Sequence, residues 1–230
     1  MTPGVLARRS ALVLTVSADR CGVESLLRAG CLACPRAGCG GVLRCHGLAR
    51  RRLVFMGVES REVGRVWVQP LRARCGSCRV TQVLLDERCL SRRMDGLRVI
   101  EVALARRAGG VSLRGIAGLV GRALSTVRGW VASAVVAARW APVVFGMLVD
   151  RLGIDPGASW GVSLAGVGAL VSAGARLAVC LGARPGDWLG IAGRACHARV
   201  LQSSLWKGGF PHQFALMDPR VIQAVLSSGP

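Results

Sequence analysis

Apolar residues fall into three successive patterns along the chain. Residues 12–16, Leu-Val-Leu-Thr-Val, form a compact apolar run that predicts a short strand, and a short helix after it ends near Gly30. From Cys31 to Cys89 the texture changes to cysteine pairs, glycines and brief alternating stretches. Val66, Val68 and Leu71 stand among polar or basic neighbours, as on a strand, with Pro70 at an edge or bulge; residues 80–85 form another short strand. This is a small β region that something other than a large apolar core must hold.

The third pattern is helical. Asp95 is a suitable N-cap, and from Leu97 the residues Val99, Ile100, Val102, Ala103 and Leu104 recur as on one helix that Gly109-Gly110 ends. Two more helices are predicted over 113–120 and 125–138. Beyond Trp140, Pro142 and the Asp155-Pro-Gly stretch mark a linker, followed by a helix over about 160–181, a Pro185-Gly turn, and a helix that Asp187 caps, to about 201. The patterns predict an α+β chain with a β region over 12–90, a three-helix unit over 94–140 and a linker with a helical tail over 141–230.

The cysteines give the β region its missing core. Cys34-Pro-Arg-Ala-Gly-Cys39-Gly-Gly and Cys75-Gly-Ser-Cys78 are two pairs, each spanning a tight turn. A structural zinc ion is tetrahedral and favours thiolates, so two such pairs complete its shell and leave no open position. Its binding free energy becomes folding free energy. The 35 residues between Cys39 and Cys75 can form strands that leave one pair and return to the other. Cys31 and Cys34 form a competing C-x-x-C, but Pro35 and Gly40-Gly41 are the turn residues expected around ligands at Cys34 and Cys39. Cys21, Cys45, Cys89, Cys180 and Cys196 are isolated and read as small buried hydrophobes. Cys45-His46 would point to opposite sides of a strand, and Cys196-His197 has no neighbour to orient a nucleophile and base.

The second and third helices of the middle unit carry the pattern of a helix-turn-helix. Ala117 is small where two helices approach, Gly121 sits at the turn, and Ile116, Val120, Val127 and Trp130 supply a shared core. The N-terminal part of the second helix of such a motif enters the DNA major groove, which nominates Arg122, Ser125, Thr126 and Arg128 for contacts, Arg128 foremost for guanine. Arg114 and Ser112 suit phosphates.

Charge agrees with a polyanionic partner. The chain has 31 Lys plus Arg against 12 Asp plus Glu, a formal +19, and Lys207 is its only lysine. From Arg44 to Arg139 there are 19 arginines and 6 acids, against 7 basic and 4 acidic residues from Trp140 onward. A GC-rich genome explains part of the choice of arginine over lysine, but not the excess over acids. The apolar run after Arg8 and Arg9 is too short for a signal peptide and Asp19 follows it, so a cytoplasmic location is expected. The uncharged stretch 159–175 is rich in Gly, Ser and Ala and Arg176 interrupts it, which favours a buried or partner-facing helix over a membrane span.

The order of features resembles a bacterial family in which a cysteine ribbon precedes a helix-turn-helix, itself similar to the N-terminal DNA-binding region of insertion-sequence transposases. The resemblance is carried by Cys34-Pro, Cys39-Gly-Gly, Gly47 with Arg50, Arg74-Cys75-Gly-Ser-Cys78-Arg-Val-Thr81, Leu84-Leu85 and Ser125-Thr-Val-Arg-Gly-Trp130, over about residues 12–140. It implies a zinc ribbon and binding to double-stranded DNA. The chain departs from it in the four residues between Cys34 and Cys39, where two are common, and in Gln82 and Asp86, which replace the usual His and Pro.

A transposase also needs three carboxylates on two metal ions. Beyond Arg139 the acids are Asp150, Asp155, Asp187 and Asp218, placed in the linker, at a helix cap and before a proline, so no catalysis is expected. The reading is a non-catalytic, zinc-dependent DNA-binding protein, with possible homodimerisation through the C-terminal helices. A protein-interaction module with a structural ribbon, and a divergent or truncated transposase, are the alternatives.

Overall fold

The computed structural model describes residues 12–16, 19–36, 38–57, 64–151, 153, 166–195 and 201. They form a mixed α+β structure with two hydrophobic cores.

The smaller core lies under a four-stranded sheet. Its strands are β1 (Leu12–Val16), β2 (Leu43–Leu48), β5 (Leu71–Cys75) and β6 (Thr81–Asp86), in the order β1-β6-β5-β2. β1 runs parallel to β6, and the other neighbours are antiparallel. A parallel pair needs a crossover, and here everything from the first helix to β5 lies between the partners. That helix, α1 (Arg20–Ala29), starts where the Asp19 carboxylate accepts the Cys21 and Gly22 amides and ends at Gly30, whose φ of 73° closes the C-cap. Val23 and Leu27 of α1 pack with Leu14, Leu43, Leu71, Ala73 and Leu84.

A two-stranded antiparallel hairpin, β3 (Arg52–Phe55) and β4 (Arg65–Val68), forms a second sheet. The stretch expected as one disturbed strand around Pro70 is therefore two strands in different sheets. Proline donates no hydrogen bond to a ladder, and the break falls at Gln69-Pro70, where the Pro70 carbonyl instead accepts the Ala49 amide at 2.8 Å.

The larger core belongs to the helices. α2 (Leu97–Ala108), α3 (Leu113–Val120) and α4 (Leu124–Ala138) match the predicted helices closely. Ile116, Val120, Val127 and Trp130 are all buried together, as expected of a shared core. Asp95 does not cap α2, however: Gly96 is the cap residue, and Asp95 faces elsewhere.

The expected linker after Trp140 is a helix, α5 (Ala141–Arg151). Pro142 fits because the first turn of a helix has amides without intrahelical acceptors, so a missing N–H there breaks nothing. α6 (Val167–Cys180) then runs through the centre, burying Leu170, Ala173, Gly174 and Leu177, and a 3₁₀ turn (Pro185–Asp187) leads into α7 (Trp188–Ala195). The expected start of this helix at 160 lies outside the described residues, as do 196–200 with Cys196 and His197. The tail is thus no appendage: α6 contacts α2, α4, α5 and α7, and all share one core with Val54 and Val68 of the hairpin. No single helix among the described residues is long and apolar enough to cross a membrane; α4 and α5 reach that length only together, with a 56° bend between them.

Two joints lock the tail. Glu101 of α2 is buried, its carboxylate accepting the Leu189 amide at 2.9 Å in the first turn of α7 and the Arg98 guanidinium at 2.7 Å, while Arg98 also donates to the Gly186 carbonyl. The second joint is the Trp188 ring lying against the bare backbone of Gly174, where an added Cβ would come within 2.9 Å of the ring atom Cδ2. Gly174→Ala is expected to lower stability by about 1–3 kcal/mol through overpacking, read as a lower denaturation midpoint; an unchanged midpoint would show that the ring moves aside freely.

Burial pushes the Glu101 carboxyl above its usual range, against the lowering effect of the Leu189 amide and Arg98. A carboxyl raised in the folded state gives stability that is complete below its ordinary value of 4.5 and is lost as pH rises through the raised value. Glu101→Gln removes that titration. Wild-type stability relative to this variant therefore increases as pH falls from 7 to about 4.5, and thermal melts that show a flat or falling difference would contradict the role of burial.

Candidate metal centre and nucleic-acid interface

The four cysteines come together through two loops that are stitched to each other. After α1, an isolated bridge between Ala33 and Val42 closes the loop carrying Cys34 and Cys39, with the Cys34 amide donating to Gly41 at 2.7 Å and the Cys39 amide to Arg36 at 3.1 Å. The second loop is the turn between β5 and β6, where Cys75 N–H donates to Val80 and Arg79 N–H to Cys75. Pairing of Leu43 with Cys75, and a Gly76 amide donating to Val42 at 3.0 Å, hold the loops side by side. Strands β2 and β5 thus leave one pair and return to the other.

Each pair is followed by a residue in left-handed conformation: Gly40 at φ +57° after Cys39, and Arg79 at φ +60° after Cys78. That turn swings the chain back around the sulfurs. Gly41 is needed for closeness, since a Cβ there would stand 2.6 Å from the Cys75 sulfur and 2.6 Å from the Ser77 hydroxyl.

The four Sγ atoms all lie within 4.8 Å of one another. Cys34 and Cys78 are 3.7 Å apart and Cys39 and Cys75 are 3.5 Å apart. Thiolates about 2.3 Å from a central tetrahedral zinc ion are about 3.8 Å from each other, so the donor set and spacing fit that ion. Cys31 is exposed and stands outside the group, which selects Cys34 and Cys39 as the first pair. Cys45 and His46 lie exposed on β2 and do not join it.

The environment favours thiolates unevenly. Burial opposes ionisation of Cys75, but the amides of Cys78 and Ser77 donate to its sulfur and bring it down to about 6. The Val80 amide likewise lowers Cys78. Burial pushes the Cys34 thiol up to about 12, so this sulfur needs a cation beside it to ionise. Four sulfurs, three of them with backbone amide donors, and no carboxylate or imidazole in the group make a closed site, suited to holding structure rather than to activating water.

The nominated DNA contacts divide. Arg114, Ser125 and Arg128 are exposed, on α3 and on the first turns of α4, and Thr126 is half-buried. Among the described residues, nothing stands within 4 Å of a Cβ added at Gly118 or at Gly129, the neighbour of Arg128. Ser112 has a structural task, its hydroxyl accepting the Gly115 amide at 3.1 Å as the N-cap of α3.

Arg122 is engaged inside the protein. Its side chain is 11% exposed and ion-paired with Asp95; its guanidinium carbon sits 4.6 Å from the centre of the Phe55 ring and its Nη1 donates to the Gly121 carbonyl. A guanidinium so held has no face to offer a base, so Arg122 is a joint between hairpin and helices rather than a reader. Sequence reasoning missed this joint because Asp95 and Arg122 are 27 positions apart, beyond any local periodicity.

No protein family, characterised protein or solved structure matches this chain. The site's meaning therefore rests on its own geometry.

Purified protein is expected to carry one zinc ion per chain by elemental analysis. Cys75→Ser should lose it along with the fold of the sheet, and Gly41→Ala should weaken retention against a chelator. Cys31→Ser should keep the metal, and loss in that variant would displace the ligand assignment.

Proposed function

We propose that the chain is a non-catalytic, zinc-stabilised protein that binds double-stranded DNA through α3 and α4 acting as a helix-turn-helix. The observation that carries this reading is the two-sided build of α4. Val127 and Trp130 fix one side in the core, while Ser125 and Arg128 stand on the open side at its N-terminal end. A three-residue turn, Gly121 to Ala123, separates the two helices, with Gly121 at φ 62° and ψ 40°. Such a helix presents its first turns to base edges in the major groove. Arg128 is suited to guanine and Arg114 to a phosphate.

The formal +19 supplies the sequence-independent attraction. The cysteine cluster has the chemistry of a ribbon that holds the sheet without taking part in a reaction. The protein then acts in the bacterial cytoplasm as a regulator or as an accessory of a mobile element. If the chain dimerises through its C-terminal helices, α5, which keeps Val143 and Met147 outward, offers more apolar contact surface than α6, most of which is buried in its own core with Val179 outward.

Labelled duplex DNA should bind with an affinity that falls steeply as salt rises, and absent or salt-insensitive binding would refute the reading. Arg128→Ala is expected to weaken binding by roughly tenfold and relax base preference. Arg122→Ala should instead lower folding stability, because it leaves Asp95 as an unpaired buried charge, by about 3 kcal/mol or more, with little change in the affinity of the folded fraction.

A further inference from the structure

The β3–β4 hairpin has two unlike faces. Leu53 pairs with Trp67 and Phe55 with Arg65, so these four side chains share one face, while Arg52, Val54, Val66 and Val68 share the other. Val54 and Val68 are buried in the helical core. The outer face keeps Trp67 at 56% exposure, the most exposed aromatic side chain among the described residues.

Guanidinium groups interleave with the rings on this face. Arg51 lies 4.8 Å from the centre of the Trp67 ring, and Arg65 and Arg122 lie 5.4 Å and 4.6 Å from that of Phe55. The Phe55 end of this face therefore abuts the turn between α3 and α4, where Arg122 is packed inside the protein, and Trp67 stands at the other end.

Trp67 also walls an open cleft of about 350 Å³ between the hairpin, the N-terminal end of α1 and β6. Val23, Val68, Leu71 and Leu84 line it with apolar surface, and Arg20, Arg51 and Arg88 add positive charge. Arg20 is paired with Glu24 and Arg88 with Asp86, whereas Arg51 pairs with no carboxylate among the described residues. Gln69, also in the cleft, donates from Nε2 to the Ala49 carbonyl at 3.5 Å, and its side-chain amide oxygen is an acceptor.

An apolar cleft with an exposed indole and an available guanidinium selects a flat ring that carries negative charge nearby. Base stacking on an aromatic side chain, with arginine on the phosphate, is the means by which unpaired strands are held. The volume is in the range of small-ligand pockets, about 300–1,000 Å³. The chain's own leading residues 1–11 suit it poorly, since they carry Arg8 and Arg9 and no acid.

We propose that the cleft beside Trp67 takes one unpaired nucleotide of a DNA strand, its base stacked on the indole and its phosphate on Arg51, as a second contact beyond α4. This rests on the DNA-binding reading. From Phe55 to Arg51 the hairpin covers about 13 Å at the strand rise, close to four stacked nucleotides at about 3.4 Å each. A single strand leaving a duplex held at α4 then reaches the cleft after a few bases.

The test titrates the full chain with a blunt duplex, with the same duplex bearing a six-thymidine overhang, and with free hexathymidylate. The overhang should tighten binding by roughly tenfold or more. Trp67→Ala and Trp67→Leu should erase that gain, Trp67→Phe should keep most of it, and melting temperatures should stay unchanged because Trp67 is exposed. Arg128→Ala should weaken every duplex while leaving the ratio of overhang to blunt unaltered. No gain from the overhang, or a gain that survives in Trp67→Ala, overturns the proposal; loss in Arg51→Ala but not in Trp67→Ala overturns it too, as attraction by charge alone. If the blunt duplex does not bind, the DNA reading of α4 fails separately, and hexathymidylate binding that depends on Trp67 still upholds the cleft.

Discussion

Four sulfurs brought within 4.8 Å of one another from two distant loops are the constraint on which the sheet depends. The core beneath that sheet is small: apart from the cysteines, Leu14, Val23, Leu27, Leu43, Leu71, Ala73 and Leu84 are its buried members. Such a core offers little against the conformational entropy of the strands and of the 35-residue excursion between the cysteine pairs. A metal ion held by the four sulfurs would close that excursion directly, and the backbone is arranged to receive one. Gly40 and Arg79 turn the chain back, Gly41 lets the loops approach, and the amides after Cys75 stabilise its thiolate. Burial opposes ionisation of Cys34, a free-energy gap that a divalent cation beside it would offset.

The helical half depends on ordinary close packing, and one buried ion pair connects it to the hairpin. Arg122 and Asp95 are both about one-tenth exposed, with Phe55 stacked against the guanidinium. Replacing such a pair with apolar residues is often neutral, whereas removing one partner is strongly destabilising. Its value is therefore positional: it fixes the turn before α4 relative to the outer face of the hairpin. Glu101 plays a similar part within α2, where it holds the first turn of α7. Both are charges inside apolar surroundings, and each ties together segments that are far apart in the chain.

What could be read from the sequence was local. β1, α1 and the three helices α2 to α4 lie close to where periodicity placed them, because Asp19, Gly30, Ser112 and Gly121 act on the residues beside them. The cysteine group was legible because its turn residues accompany the ligands. The pairing of β1 with β6 was not, since a parallel partner 70 positions away leaves no trace in either strand. α5 is hidden in the sequence because Pro142 reads as a break, although proline is at home in a first turn. The apolar character of α6 showed that it would be covered, but not that its cover would be this chain's own α2, α4, α5 and α7. The engagement of Arg122 with Asp95 was hidden for the same reason as the pairing of β1: the partner is brought by the fold.

The central claim is a closed, all-thiolate metal centre at Cys34, Cys39, Cys75 and Cys78. X-ray absorption at the zinc edge on the purified protein tests it most directly. The account predicts four sulfur neighbours at about 2.3 Å and no nitrogen or oxygen in the first coordination sphere. A fit that requires a nitrogen or oxygen ligand, or fewer than four sulfurs, would contradict it.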